Sequence, residues 1–96
     1  MPYKIEWLPV ALKDMAGLRA FIQAKNPAAA TRAAGRIKEA VLVLLDNTEV
    51  GRTVEDEPLC REIIIPFGRG NYALRYREVG SKIIVVRVKH NREHDF

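Results

Sequence analysis

Residues 71–90 read NYALRYREVGSKIIVVRVKH. The run breaks at Val79-Gly80-Ser81, where a glycine offers the backbone freedom of a tight turn. On either side lie stretches rich in aromatic and β-branched residues, Tyr72–Glu78 and Ile83–His90, with the length of strands. The stretch is therefore expected to form a β-hairpin. It also carries Arg75, Arg77, Lys82, Arg87, Lys89 and His90, an unusual load of cations for two strands.

Upstream, Cys60–Phe67 holds Ile63-Ile64-Ile65 at its centre and is expected to be another strand. Phe67-Gly68-Arg69-Gly70-Asn71 joins it to the hairpin through residues that tolerate positive φ. The last three strands thus form an antiparallel meander. Residues 47–59 contain Gly51 and Pro58, no apolar period, and four acids (Glu49, Glu55, Asp56 and Glu57) against the single base Arg52. They are expected to be a loop.

The first half of the chain has a different period. Tyr3–Trp7 alternates apolar and polar residues, as a half-buried strand does. After Pro9, the residues Ala11, Met15, Leu18 and Ile22 recur at helical spacing, with Leu12 and Phe21 widening the stripe to Lys25. Asn26-Pro27 then places a capping side chain before a proline suited to the first helical turn. A second stripe, Ala30, Ala34, Ile37, Val41 and Leu44, runs to Asp46-Asn47. Its small early residues allow close approach, so the two helices are expected to form a hairpin. The order is β-α-α-β-β-β. The fold class is α+β, a curved antiparallel sheet with a two-helix hairpin packed on one face.

Side chains alternate across a strand. Tyr72, Leu74 and Tyr76 then share one face and Ala73, Arg75 and Arg77 the other. Unbroken alternation in the last strand groups Ile84, Val86, Val88 and His90 against Ile83, Val85, Arg87 and Lys89. The helices must cover the more apolar side, which gathers the arginines on the uncovered side as a basic concavity. Tyr72, Tyr76 and Trp7 are expected in the core.

The chain has 96 residues, 48% hydrophobic and 29% charged, which is one domain over residues 1–96 with one core. No apolar run approaches the roughly 18 residues that span a bilayer. The opening MPYKIEWLP lacks the apolar segment of a signal peptide, so a cytoplasmic protein without a membrane partner is expected. Cys60 stands alone, which excludes an internal disulfide and a cysteine-rich metal framework; it is expected to be a small core residue. His90 and His94 are four apart, but no third ligand accompanies them, and neither metal nor cofactor is expected.

The net charge is +4, and residues 60–96 hold eight bases against four acids. A basic end suits nucleic acid or an acidic protein. Cleavage of RNA needs a base for the 2′-OH, cationic stabilisation at phosphate and an acid for the leaving oxygen. Arg61, Arg75, Arg87, Tyr76 and His90 include groups of those types. The blander reading pairs these arginines with the nearby carboxylates Glu62 and Glu78.

The element order and several short motifs resemble the RelE/ParE superfamily of toxins from type II toxin–antitoxin modules. The motifs are Trp7-x-Pro9-x-Ala11-x-x-Asp14, Asn26-Pro27-x-Ala29-Ala30-x-Arg32, Gly51-Arg52, Arg61-Glu62 and Tyr72-x-Leu74-Arg75-Tyr76-Arg77, with Ile83-x-Val85-x-Arg87-Val88-x-His90-x-Arg92 closing the chain. The resemblance implies a small growth-inhibiting toxin held in check by a cognate antitoxin, an acidic extended or helical segment. Arg61, Arg75, Arg77, Arg87, Lys89 and Arg92 would form the surface for that partner. The superfamily's ParE-like members poison DNA gyrase and have no nuclease site. Its RelE-like members cut messenger RNA on the ribosome without metal. The Asn-Pro-Ala-Ala opening, Gly51-Arg52 and the ending at His90-x-Arg92 resemble the ParE-like, plasmid-stabilisation side. The approach to the strand at Cys60 is the acidic Glu55-Asp56-Glu57, where the nucleases tend to have lysines. The expectation is a gyrase poison rather than an enzyme. The alternatives are an mRNA endoribonuclease using Arg61, Arg75, Tyr76, Arg87 and His90, and a non-toxic relative that only binds the antitoxin.

Overall fold

Proline opens both helices, because its fixed φ suits a first turn whose N–H groups have no intrahelical partner. In the computed structural model, which describes residues 3–68 and 70–90, α1 runs Pro9–Lys25 and α2 runs Pro27–Asp46. One residue separates them. Asn26 donates its backbone N–H to Ile22 O at 2.8 Å, ending α1, and its side-chain oxygen accepts from Ala29 N–H at 3.1 Å, starting α2. The chain therefore reverses at once and the helices pack as a hairpin. On α2, Ala30, Ala33, Ile37, Val41 and Leu44 are buried, with Ala33 rather than Ala34 completing the stripe. On α1, Ala11 is buried and Met15, Leu18 and Ile22 pack against the core. Leu12 and Phe21, expected to widen that stripe, instead face solvent at 55% and 64% exposure.

The strands are β1 (Lys4–Trp7), β2 (Arg52–Val54), β3 (Glu57–Phe67), β4 (Gly70–Val79) and β5 (Lys82–His90). They form one sheet in the order β1-β5-β4-β3-β2. The antiparallel meander of β3, β4 and β5 is present, turning through Gly68 and Gly80 at positive φ. Two features depart from expectation. β1 pairs parallel with β5, so the sheet is mixed. Residues 47–59 are not all loop: they contain β2 and the start of β3. β2 has three residues, two of them exposed, and its register slips between Thr53 and Val54. Main-chain pairing and the Arg52–Glu62 ion pair hold it, and neither leaves an apolar period in the sequence.

The alternation expected for β5 is also overturned. Arg75 pairs with Arg87, but Tyr76 pairs with Val85, so β5 carries one extra residue, Val86, against β4. A bulge of this kind resets which face each side chain takes. Ile83, Val85 and Val88 are consequently all buried beneath the helices beside Tyr72, Leu74 and Tyr76, while Ile84 and Val86 remain partly exposed. Among the described residues, no helix is long and apolar enough to cross a membrane.

β1 accompanies β5 only as far as Val85, where Leu8 N–H donates to Val85 O at 3.0 Å before the chain enters α1. Beyond that point α1 takes over the partnership. Asp14 accepts from Val88 N–H at 3.0 Å and grips the Arg87 guanidinium at 2.8 and 3.2 Å. One carboxylate thus supplies the acceptor a strand would have provided and neutralises the adjacent arginine. Asp14→Ala leaves Val88 N–H and a partly buried guanidinium without it, and is expected to cost about 2–4 kcal/mol. A shift of the urea midpoint with unchanged slope would show that loss.

Candidate protein-binding face

The face of the sheet away from the helices is built by register. Glu62 pairs with Arg75 and Ile64 with Ala73, so these lie together, while Arg61, Ile63 and Ile65 fall on the helix side with Tyr76, Leu74 and Tyr72. Arg77, two residues beyond Arg75, shares the open face.

The open-face arginines are not all available. Arg75 is 9% exposed and surrounded by carboxylates: its Nε donates to Glu62 at 3.1 Å, it pairs with Glu57, and Asp56 lies 3.8 Å away. Glu62, 8% exposed, is held from its other oxygen by Arg52 at 3.0 Å. Burial works against the Arg75 charge, but the hydrogen bonds to Glu62 and Glu57 outweigh it and hold the guanidinium above its usual value. Two guanidiniums against three carboxylates leave this end of the face negative. The acidic stretch before Cys60 is therefore an internal counter-charge.

Of the other candidates, Arg61 is the cross-strand partner of Tyr76 on the helix side and Arg87 is that of Arg75. Arg61 donates to the carbonyls of Gly51 at 2.8 Å and Glu49 at 3.4 Å. Tyr76 is fully buried; its phenol donates to Thr48 O at 2.8 Å and accepts from Gly51 N–H at 3.0 Å. Burial raises its pKa, so it stays protonated at neutral pH. Arg87 is bound to Asp14. His90 pairs with Tyr72 in the register, their rings edge-on with centroids 5.3 Å apart, and it lines a groove of about 680 Å³ against Leu18, Phe21 and Ile22 of α1. Lys89 pairs with Ala73. Arg92 and His94 lie outside the described residues, as does the tail as a whole. The structure thus does not bring Arg61, Arg75, Tyr76, Arg87 and His90 to one centre. Among the described residues, no three His, Cys, Asp or Glu groups are placed to hold a metal ion. Cys60 is buried beside Glu57, and burial pushes its thiol pKa up.

Sequence reasoning did not assign structural roles to Asp14 or Gly51. Both stand in the short motifs, but their purpose is tertiary. A Cβ on Gly51 would lie 2.7 Å from the Tyr76 hydroxyl, so only glycine admits the phenol that pins residues 48–51 to the sheet. The distinctive open-face cation is Arg77. It is half-buried and forms no ion pair or hydrogen bond among the described residues.

Comparison with known proteins now bears on this arrangement. The family described as ParE toxin of type II toxin-antitoxin system, parDE, matches residues 5–94. The chain is similar to Toxin RelE1 of Caulobacter vibrioides, 36% identical over 83 residues covering 86% of this chain and 87% of that protein. Toxin RelE3 of the same organism is 29% identical over 89 residues, covering 93% and 95%. Among solved structures, the chromosomal ParDE TA system from P. aeruginosa matches with a TM-score of 0.74 at 23% identity, over 92% of this chain and 95% of that one. The toxin–antitoxin complex RelBE2 from Mycobacterium tuberculosis matches at 0.63 and 22%, over 95% and 100%. At those identities the structural likeness speaks for the fold alone.

Two stability measurements test the placements. Tyr76→Phe strands Gly51 N–H and Thr48 O, and is expected to lower unfolding free energy by about 1–3 kcal/mol in urea. Arg75→Met leaves Glu62 buried with only Arg52 for company, an expected loss of about 2–4 kcal/mol. Combining it with Glu62→Leu recovers most of that loss, because the uncompensated buried charge is gone.

Proposed function

The chain belongs to the ParE toxin family of type II toxin–antitoxin systems, and from that premise we propose that it acts in the cytoplasm by binding and poisoning a protein target, DNA gyrase, while a cognate antitoxin holds it inactive. One observation carries this reading. The groups a nuclease would need are divided, Arg61 with Tyr76 on the helix side and Arg75 opposite Arg87, and each of the three arginines is already engaged. Arg75 sits among its own carboxylates, Arg87 is bound by Asp14, and Arg61 is spent on backbone carbonyls. Tyr76 is buried with both hydrogen-bonding functions satisfied, so it reaches no substrate. General acid–base catalysis needs its groups within reach of one reacting phosphate, and the division of these groups between the two faces speaks against that. What remains on the open face is an apolar surface with a few cations, which suits a protein rather than a polyanion.

The antitoxin follows from the family, and the two solved neighbours described above are toxin–antitoxin systems. The net charge of +4 favours an acidic segment and speeds its encounter. The RelE names of the two curated relatives favour a second reading, a ribosome-dependent, metal-independent mRNA endoribonuclease.

Induction of the toxin without its antitoxin separates these mechanisms. The expected outcome is gyrase-linked DNA breaks and a DNA-damage response while messenger RNA stays intact through the first minutes. His90→Ala is expected to retain toxicity. Prompt loss of message with unbroken DNA, abolished by His90→Ala, would instead establish the nuclease.

A further inference from the structure

We propose that Arg77, with the apolar shelf beside it, is a seat for a single carboxylate side chain of the antitoxin, flanked in that partner by apolar residues. The proposal rests on the toxin–antitoxin reading above and narrows it to one anchoring contact.

The first ground is a half-buried cation with no ion pair among the described residues. Arg75, Arg87, Arg61 and Arg52 all have internal partners. Arg77 stands on the same sheet, half-buried, with none among the described residues. A guanidinium partly withdrawn from water without a counter-ion is unfavourable, and it gains most from an anion delivered by something else.

The second ground is its surroundings. Arg77 lines an open groove of about 350 Å³ whose walls include Leu8, Leu59, Cys60, Ile84 and Val86, with Glu57, already paired to Arg75, at one side. Leu59 is 73% exposed, high for a leucine in a strand. Ile84 and Val86 are on this face because of the bulge in β5. Apolar area around one cation forms a site that an acidic residue between two apolar neighbours would fill. The charged pair would be desolvated by the contacts flanking it, as in the centre of a protein interface.

The same surroundings argue against a nucleic-acid backbone. Successive phosphates need a row of cations and polar partners for the sugar. Here the walls are mostly apolar, and the acid among them, Glu57, is paired with the neighbouring Arg75, beside which Asp56 also stands. A second copy of the chain fits poorly too, since each copy brings a net charge of +4.

The test uses the full chain and the product of its adjacent reading frame, purified separately and recombined in a calorimeter at low and moderate salt. Arg77→Met and Leu59→Ser are each expected to weaken binding at least tenfold, with a shallower salt dependence for Arg77→Met. Arg77→Lys is expected to be intermediate, because it keeps the charge but not the bidentate fork. The thermal midpoint of free Arg77→Met should equal or exceed that of the unaltered chain, since an unpaired cation has been replaced by an apolar group. That separates a lost contact from a damaged fold. Wild-type affinity in Arg77→Met would overturn the proposal. So would a lower midpoint that accounts for the weakened binding, a loss confined to a single-stranded RNA oligonucleotide, or a dimer of the unaltered chain that Arg77→Met dissociates. If the unaltered chain does not bind the adjacent product at all, the toxin–antitoxin reading is what fails, and this seat fails with it.

Discussion

A single extra residue in β5 governs much of this molecule. Without the bulge at Val86, strict alternation would turn either Val88 or the pair Ile83 and Val85 away from the helices, because a shift of one residue exchanges the two faces. With it, all three are buried in one core with Tyr72, Leu74 and Tyr76. Burying side chains of this size stabilises by about 1.5–3 kcal/mol each. In a domain of 96 residues, where total stability is about 5–15 kcal/mol, losing one or two of them is decisive. The bulge lies where β1 gives way to α1 along the edge of β5, so Asp14 can take up Val88 N–H and Arg87 together. Ile84 and Val86 are left on the opposite face, where they shape the groove beside Arg77.

Charge in this protein is mostly spoken for internally. The C-terminal part is rich in arginine, yet Arg75 is enclosed by carboxylates from β3 and the turn before it, and Arg87 by one from α1. Such pairs are weak contributors to net stability, because desolvation offsets most of the Coulombic gain. They do specify register: Arg75 meets Glu62 only if β3 and β4 are aligned as observed. For function the result is subtraction. The arginines of a stretch that reads as strongly basic in sequence are largely matched by carboxylates, while Arg77 forms no ion pair among the described residues.

The 48–51 turn depends on the same logic of enclosed polar groups. Tyr76 projects beneath the sheet to hold Thr48 and Gly51, and Arg61 holds the carbonyls of Glu49 and Gly51 from beside it. Two residues that the nuclease alternative would use, Tyr76 and Arg61, thus fasten the segment that leads into β2. A buried phenol with its donor and acceptor functions both satisfied is a rigid element and a poor proton carrier.

The sequence by itself determined the local elements and the family. Proline at the start of each helix, Asn26 between them and glycine in the tight turns act within a few residues, and the apolar periods gave α1, α2 and the β3–β5 meander, though not every face: Leu12 and Phe21 face solvent and the alternation in β5 is broken. That strand arginines meet nearby carboxylates was also legible, and Glu62 does meet Arg75, while Glu78, the other acid named, accepts from the Tyr3 hydroxyl instead. Only the tertiary structure decided which way the last strand faces, since the bulge is a mismatch in count between β4 and β5 that neither strand shows alone. It also decided the fate of each cation, because Arg87 and Asp14 stand 73 positions apart and meet only through packing. β2 belongs to that second class as well: three residues with no apolar period become a strand because β3 offers them an edge.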